Sequence, residues 1–261
     1  MNVIQHNKVA HLHNDKDIIF CKTDYLEVLF YNLRDCKDNV TLITGNSDYA
    51  ITNEIVSKAP PCVKLWFGQA MNSNWDICRS IPYGIENSEH CILGEAQGYG
   101  HPGAAYKLAV MENPPVIIPT KSVYANFSKT SYSGRPRVVD ICKQLSYITY
   151  DIDKVVTSKS YASFISNILD HKMVVCPRGN APAETHRFWE VLYLGRVPIV
   201  KYKFGLSSFI DLPVIVLSDW DQLQDEDFIL KEYDRVKDNS KEKLDMDYWI
   251  NYIKEEHEKI K

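Results

Sequence analysis

Short apolar runs alternate with amphipathic segments along most of the chain, and this alternation constrains the fold more than any other feature. The runs "DIIFC", "VTLITG" and "CVKLWFGQ" have the length of buried strands, and "YLEVLFYNLRD" carries the apolar stripe of a helix. A second series begins after "ENPP": "PVIIP" and "SVYANFS" are predicted to be extended, and helical segments separate "KMVVCP", "RVPIV" and "LPVIVLSDW". Strands and helices in alternation predict stacked βαβ units with parallel sheets.

Two such series in 261 residues predict two Rossmann-like α/β domains, over residues 1–115 and 116–240, with a seam near Asn113 to Thr120. A ligand would bind in the cleft between them. The glycine-rich stretch "GEAQGYGHPGAAY" is typical of a mobile surface loop. Residues 241–261 contain "DMDYWINYIKEEHEKIK", an amphipathic helix expected to pack back across the seam through its aromatic side chains.

Charge, cysteine content and missing motifs disfavour several classes of protein. A net charge of −4 gives no general attraction to nucleic acid or anionic membranes. No run approaches the length of a membrane span, and the N-terminus lacks an export signal. Seven cysteines without a CxxC pair, several of them inside apolar runs, predict buried reduced thiols and a cytoplasmic protein. The phosphate-loop and dinucleotide-binding motifs of kinases and dehydrogenases are absent from the sequence.

One stretch, "VVCPRGNAPAETHRFWEVLYLGRVPIV", combines a strand, a turn, a helix and a second strand. The turn lies where a parallel strand ends, and the helix after it presents free N–H groups that suit a phosphate. Arg178 and Arg187 add two guanidinium groups, well matched to a diphosphate. Glu190 lies three residues after Arg187 on the same helical face and could accept two ribose hydroxyls. The alternative is an ordinary βαβ unit whose Arg187–Glu190 pair faces solvent. The remaining helix residues are expected to be core: Trp189, Leu192 and Tyr193.

The segment "CPRGNAPAETHRFWEVLYLGRVPIV" resembles the donor-binding signature of exostosin-like glycosyltransferases, and "YANFSKTSYSGRPRVV" resembles the segment that opens their donor domain. Weaker similarities in "LITGNSDYAI" and "LWFGQAMN…IPYGIEN" extend the resemblance from about Ile18 to Trp220, and they look closest to small enzymes of large algal viruses. The resemblance implies the GT-B fold. Residues 1–115 would then bind a glycan acceptor, and residues 116–240 a nucleotide-sugar donor.

The same resemblance implies roles for individual residues. It places the diphosphate and ribose on Arg178, His186, Arg187 and Glu190, within a donor turn that also holds Gly179, Asn180 and Thr185. Asn126 and Arg137, or Arg135 in place of Arg137, would contribute from the neighbouring loop, although Asn and Arg are also routine turn and surface residues. A uridine diphosphate sugar is the implied donor, xylosyl transfer is one activity of the relatives, and the host cytosol is the implied location.

Transfer with inversion needs a base on the acceptor side to take the hydroxyl proton. Asp48 is the predicted base, because it lies in "GNSDY", the turn that ends the strand "VTLIT". An Asx-turn or N-cap role explains the same residue equally well. Rival bases are Glu95 and His101 in the glycine-rich loop, which could contact the acceptor, and three residues near the N-terminus, His11, His13 and Asp15.

Two Asp-x-Asp triplets raise the question of a metal ion. "YDIDK", with Asp151 and Asp153, and "LDMDY", with Asp245 and Asp247, resemble the Mg²⁺- or Mn²⁺-binding motif of GT-A transferases. The second triplet lies at a predicted helix start, where aspartates complement the dipole. Because cationic side chains can stabilise a leaving diphosphate without metal, we expect no cofactor besides the nucleotide sugar. The alternatives are a metal-dependent GT-A transferase that uses Asp151 and Asp153, and a nucleotide-sugar-binding module without a base.

Overall fold

The computed structural model describes residues 1–151 and 160–261 and contains two larger parallel sheets. The first has the order β1-β2-β4-β6, so its strands are added in sequence order; Ile18 pairs with Thr41, and Trp66 with Cys78. Two short strands, β3 and β5, form a separate parallel ladder. The bounds in this half are β1 Ile18–Lys22, β2 Val40–Gly45, β3 Ile51–Thr52, β4 Val63–Gly68, β5 Met71–Asn72 and β6 Cys78–Ser80.

The second sheet has the order β11-β10-β9-β7-β8 and is also parallel. Its strands are β7 Lys121–Ala125, β8 Ile148–Tyr150, β9 His171–Val175, β10 Val197–Lys201 and β11 Ile215–Leu217. The first strand, β7, therefore lies between β8 and β9, and the chain reverses its direction of winding there. The two parallel sheets confirm the predicted α/β class.

Eight α-helices connect and cover the strands of the described residues: α1 Leu26–Leu33, α2 Asn53–Val56, α3 Ala104–Glu112, α4 Arg135–Gln144, α5 Tyr161–Asp170, α6 His186–Tyr193, α7 Glu226–Val236 and α8 Met246–Glu258. Helix α6 buries Trp189, Leu192 and Tyr193, as its apolar spacing predicts. It stops at Gly195, whose φ of 70° is a left-handed conformation that glycine adopts readily.

Helix α8 follows the second sheet in the chain but packs on the first half, as predicted. Trp249 is buried in the core that it shares with Phe209. The last turns of α8 reach the first sheet, where His257 Nδ1 lies 2.9 Å from Thr41 Oγ1 and Glu256 pairs with Arg79 at 3.4 Å. The two halves therefore share one hydrophobic core near the seam.

Two segments differ from expectation. "PVIIP" forms no strand: Val116 is fully exposed, because the prolines around it remove the N–H donors that a sheet position needs. The glycine-rich segment contains a 3₁₀ turn, Glu95–Gln97, and leads into the start of α3. Gln97 ties this turn to β1 by accepting a hydrogen bond from Lys22 N at 2.6 Å. Helix α3 was not predicted, since only Ala104 and Met111 of its side chains are buried and its apolar stripe is weak.

None of the helices in residues 1–151 and 160–261 combines the length and apolar character needed to cross a lipid bilayer.

Candidate active site

The strand order of the second sheet locates a ligand crevice. In an open parallel sheet, ligands bind beyond the carboxyl ends of the strands at the point where the winding direction reverses. That point lies between β7 and β9. The loop after β7 leads into α4, and the loop after β9 leads into α6, so two helix N-termini flank the crevice. The first sheet is wound in one direction and has no such reversal among its described strands.

Arg135 fills the floor of this crevice. It is 8% exposed, and its guanidinium donates to three backbone carbonyls, those of Ser128 at 2.8 Å, Pro177 at 3.1 Å and Arg178 at 2.8 Å. It forms no ion pair with a carboxylate of the described residues. Burial, reinforced by the positive charge of Arg187, lowers the pKa of Arg135. A buried cation that lacks a counterion creates a strong local preference for an anionic ligand.

Arg135 lines a basic pocket of about 360 Å³ between α4 and the ends of β9 and β10. Arg178 lies 4.2 Å over the ring of Tyr132, and within the described part of the chain its guanidinium donates only to the carbonyls of Gly179 and Asn180. Lys203 also has no ion pair among the residues that the structure describes. Five cationic side chains line this pocket: Arg135, Arg137, Arg178, Lys201 and Lys203. Three of them, Arg135, Arg178 and Lys203, therefore have positive charge available for a ligand.

The structure distinguishes Arg135 from Arg137, the two arginines that the sequence analysis gives as alternatives for the same contact. Arg137 is more than half exposed and pairs with Asp219 at 3.1 Å and with Asp221. Arg135, two residues earlier, points into the crevice instead. Arg137 therefore borders the basic pocket with its charge already neutralised.

The residues of α6 that the sequence predicts to bind the donor lie on the other side of the crevice, in a buried network. Arg187 donates to the carbonyl of Asn126 at 2.6 Å and to Glu190 Oε2 at 3.1 Å, and it stacks on Phe164. Glu190 has a side chain that is only 3% exposed, and its Oε1 lies 3.0 Å from Lys107 Nζ. The alternative of an ordinary βαβ unit predicts that the Arg187–Glu190 pair faces solvent. Glu190 does not fit that alternative, because its carboxylate is buried. Both of its carboxylate oxygens contact cations, Lys107 and Arg187.

Lys107 extends this network across the seam. Its ammonium group also pairs with Glu86 Oε1 at 2.5 Å, and Glu86 belongs to the loop after β6. The side chains of Lys107 and Glu86 are 22% and 24% exposed. Burial raises the pKa of Glu86, but the charges of His186 and Lys107 outweigh it and hold that pKa below its usual value. A chain of alternating charges therefore connects the first half to α6.

An acidic cleft of about 540 Å³ lies at the carboxyl ends of β1, β2 and β4. Asp48, Glu95 and His101, three candidate bases of the sequence, all line it, together with His186 from the donor half. Its carboxylates are Asp24, Asp48, Glu86 and Glu95, against one lysine, Lys22. Asp48 is exposed, and its Oδ2 accepts a hydrogen bond from Asn180 at 3.1 Å. The cleft and the basic pocket therefore meet at the loop after β9.

The rival bases near the N-terminus lie outside this cleft. His11 and Asp15 are exposed, and His13 pairs with Asp15 at 2.6 Å. The remaining residues that were predicted to bind the donor mostly contact other parts of the protein. Asn126 is buried and donates to Tyr124 Oη at 3.0 Å, and Thr185 caps α6 without a side-chain hydrogen bond.

Sequence reasoning missed three residues that line these two sites, His6, Glu86 and Glu184, and it also missed Lys107, which pairs with Glu86. Glu184 is 5% exposed, and its Oε1 accepts from Tyr83 N at 2.9 Å and Trp189 Nε1 at 3.2 Å. Burial raises the pKa of Glu184 to about 7. The sequence offers one signal for Glu184, which lies directly before Thr185, the N-cap of α6, in the loop after β9. Glu86, Lys107 and His6 lie in segments without a recognisable motif.

The Asp-x-Asp triplets differ in their surroundings. Asp245 is the N-cap of α8 and accepts from the Asp247 backbone N–H, as the helix-start prediction requires. Asp151 Oδ2 lies 3.4 Å from Tyr124 Oη, and Asp153 lies outside the described residues. Among residues 1–151 and 160–261, no group of three or more His, Cys, Asp or Glu side chains is placed to hold a metal ion.

Comparisons with known proteins give little at the level of sequence. No protein-family model matches the chain, and no curated protein matches it. Among solved structures, the crystal structure of an α1,3-fucosyltransferase is similar, with a TM-score of 0.47 and 11% identity over 92% of this chain and 77% of that chain. An identity and a TM-score this low do not define a family.

Proposed function

We propose that the protein is a glycosyltransferase of the GT-B type, which moves a sugar from a nucleoside diphosphate donor to a hydroxyl group of a glycan. The observation that carries the proposal is the meeting of two sites of opposite charge at the loop after β9. A basic pocket holds three cations that have no carboxylate partner among residues 1–151 and 160–261, and an acidic cleft lies beside it. Such a pair suits one anionic and one neutral, polyhydroxylated substrate.

The basic pocket suits the leaving group. When the bond from the anomeric carbon to the diphosphate breaks, the electron pair stays on the phosphate oxygen, and negative charge grows there. Arg135, Arg178 and Lys203 are positioned to stabilise that charge, with help from the N-terminus of α4. Arg187 is the corresponding candidate from α6. We propose metal-independent transfer on this basis.

The acidic cleft suits the acceptor. Four carboxylates and one lysine repel an anion but accept hydrogen bonds from sugar hydroxyl groups. Tyr49 and Tyr99 line the cleft and are 64% and 65% exposed, so their rings offer an apolar face to a pyranose. Asp48 stays a predicted base, since it lies at the junction with the donor loop. Uridine as the donor base, xylose as the sugar and inversion at the anomeric carbon rest on the sequence resemblance.

A thermal-shift screen tests this function. We expect uridine diphosphate or a uridine diphosphate sugar, xylose among them, to raise the melting temperature, because a ligand that binds only the folded state stabilises it by mass action. Arg178→Ala should weaken nucleotide binding roughly ten- to a hundredfold, since a charge-assisted hydrogen bond contributes about 1.5–3 kcal/mol. Arg235→Ala is the control, because Arg235 lies on α7 and pairs with Glu232 away from both sites. The proposal fails if no nucleoside diphosphate or nucleotide sugar stabilises the wild-type protein.

A further inference from the structure

His186 belongs to the donor half by sequence but lies in the acceptor cleft. It is the first residue of α6, yet its ring lines the acidic cleft, whose other lining residues all come from residues 6–101. The ring packs edge-on against Tyr83, with the two planes at 85°. His186 thus lies between the bound diphosphate and the bound acceptor in the function that we propose.

A hydrogen bond determines which ring nitrogen of His186 carries the proton. Nδ1 lies 2.8 Å from the carbonyl oxygen of Gly84. Because a carbonyl can only accept, Nδ1 is the donor, and in the neutral ring Nε2 then carries a lone pair. Nε2 has no hydrogen bond within the described residues and is not buried. The protein therefore fixes the ring and leaves one basic nitrogen open to the cleft.

Glu86 supplies the charge that such a base needs. Glu86 lies two residues after Gly84. Its carboxylate is close enough to His186 for the charge of the imidazole to lower the pKa of Glu86. Lys107 holds Glu86 Oε1, whereas Glu86 Oε2 is buried with no hydrogen-bond partner among the described residues. An ionised carboxylate with an unsatisfied oxygen stabilises a positive charge that develops nearby. The charged and titratable groups on or packed against α6 near His186 are Lys107, Glu184, Arg187 and Glu190. Those that line the cleft together with His186 are His6, Lys22, Asp24, Asp48, Tyr49, Tyr83, Glu86, Glu95, Tyr99 and His101.

We propose that His186, in place of the predicted Asp48, is the general base of the transfer and that Glu86 is a positioning residue that stabilises its protonated form. The proposal rests on the function proposed above. The acceptor hydroxyl gives its proton to Nε2, and the oxygen electron pair forms the bond to the anomeric carbon. The bond from that carbon to the diphosphate oxygen breaks, and its electron pair leaves with the nucleotide. The imidazolium returns its proton to solvent after the product leaves.

The first test needs no substrate. Nitrogen–proton NMR correlation of the imidazole rings distinguishes the two tautomers of each of the eight histidines, and His186→Gln identifies one signal by its loss. We expect that signal to come from an Nδ1–H tautomer at a pH where the ring is neutral. An Nε2–H tautomer would overturn the proposal, because no lone pair would then face the cleft.

The second test measures transfer and nucleotide binding separately. The donor in this assay is the nucleotide sugar that stabilises the wild-type protein in the thermal-shift screen. With that donor, His186→Gln should lower kcat by about 10²–10⁴, the range for loss of a general base. Uridine diphosphate affinity should stay within about twofold of wild type. If instead nucleotide affinity falls as far as in Arg178→Ala while kcat is retained, His186 is a phosphate contact and not the base.

Glu86→Gln separates a positioning role from a purely structural one. Loss of the carboxylate should lower kcat with little change in KM for the nucleotide sugar, and Glu86→Asp should restore part of the rate, because a carboxylate stabilises the positive charge that develops on the imidazole. An unchanged kcat in Glu86→Gln would remove Glu86 from the proposal. Nucleotide binding by the wild-type protein is measured in the same series, so its absence would refute the proposed function, whereas the tautomer reports on His186 alone.

Discussion

Lys107 holds two carboxylates together across the seam, and its removal provides the sharpest test of the packing. In the Lys107→Met variant, Glu86 and Glu190 lose the cation between them, while methionine keeps much of the apolar stem. Glu190 is 3% exposed and keeps Arg187 at 3.1 Å and Tyr161 Oη at 3.3 Å. Glu86 keeps no ion pair among the residues that the structure describes. Glu86 therefore accounts for most of the electrostatic stabilisation that the variant loses.

The expected magnitude follows from burial. Breaking a fully buried ion pair by removing one partner costs about 3–5 kcal/mol. Lys107 and Glu86 retain about a fifth to a quarter of their side-chain exposure, so water screens part of that loss, and we expect about 2–3 kcal/mol. The change in Tm is the change in the free energy of unfolding divided by the unfolding entropy. For a chain of this length, the expected loss lowers Tm by about 4–6 °C.

The pH dependence adds a signature that lost packing cannot imitate. The pKa of Glu86 is lowered in the folded protein, so its contribution is present above its unfolded pKa and is lost as pH falls through the folded value. The raised pKa of Lys107 adds stability below its unfolded pKa that is lost only at high pH. In Lys107→Met, Glu190 keeps its pair with Arg187, but Glu86 is left without a paired cation among the described residues, so burial disfavours its charged form. Acidification from pH 8 to pH 5 should therefore reduce the difference between the Tm of Lys107→Met and the Tm of the wild-type protein.

Differential scanning calorimetry at both pH values measures the effect. Lys58→Met is the matched control, because Lys58 forms only an exposed pair with Glu54, and its Tm should stay close to that of wild type. Equal Tm values for Lys107→Met and wild type, or a deficit that does not change with pH, would show that this charge chain does not hold the seam.

Two further predictions concern Glu184 and metal ions. The pKa of Glu184 is raised to about 7, so the folded state binds the proton more tightly than the unfolded state, and stability falls as pH rises from about 4.5 to 7. Glu184→Gln keeps an acceptor for Tyr83 N, so between pH 5 and pH 8 it should gain about 2–3 kcal/mol relative to wild type in urea unfolding; parallel pH curves would contradict this. Treatment with EDTA should leave most transfer activity, since Arg135, Arg178 and Lys203 supply the positive charge. Activity lost on chelation and restored by Mn²⁺ would favour the metal-dependent alternative with Asp151 and Asp153.

Local pattern was enough to predict the class of fold. Runs such as "VTLITG" became β2, and the spacing of Trp189, Leu192 and Tyr193 predicted the buried face of α6, because backbone periodicity determines which side chains share a face. The same reasoning failed for "PVIIP", where an apolar run lacks the N–H groups to pair, and for α3, whose apolar stripe is weak.

The charge pairings across the seam depended on tertiary structure. Arg135 and Arg137 are two residues apart on one helix and therefore point in directions about 200° apart, so the crevice selects one of them only once α4 has packed. Glu86, Lys107 and Glu190 come from a loop and two helices that are distant in sequence. No local period relates such segments. The packing of the two sheets places their charged ends against one another, and it brings His186 into a cleft built by the other half of the chain.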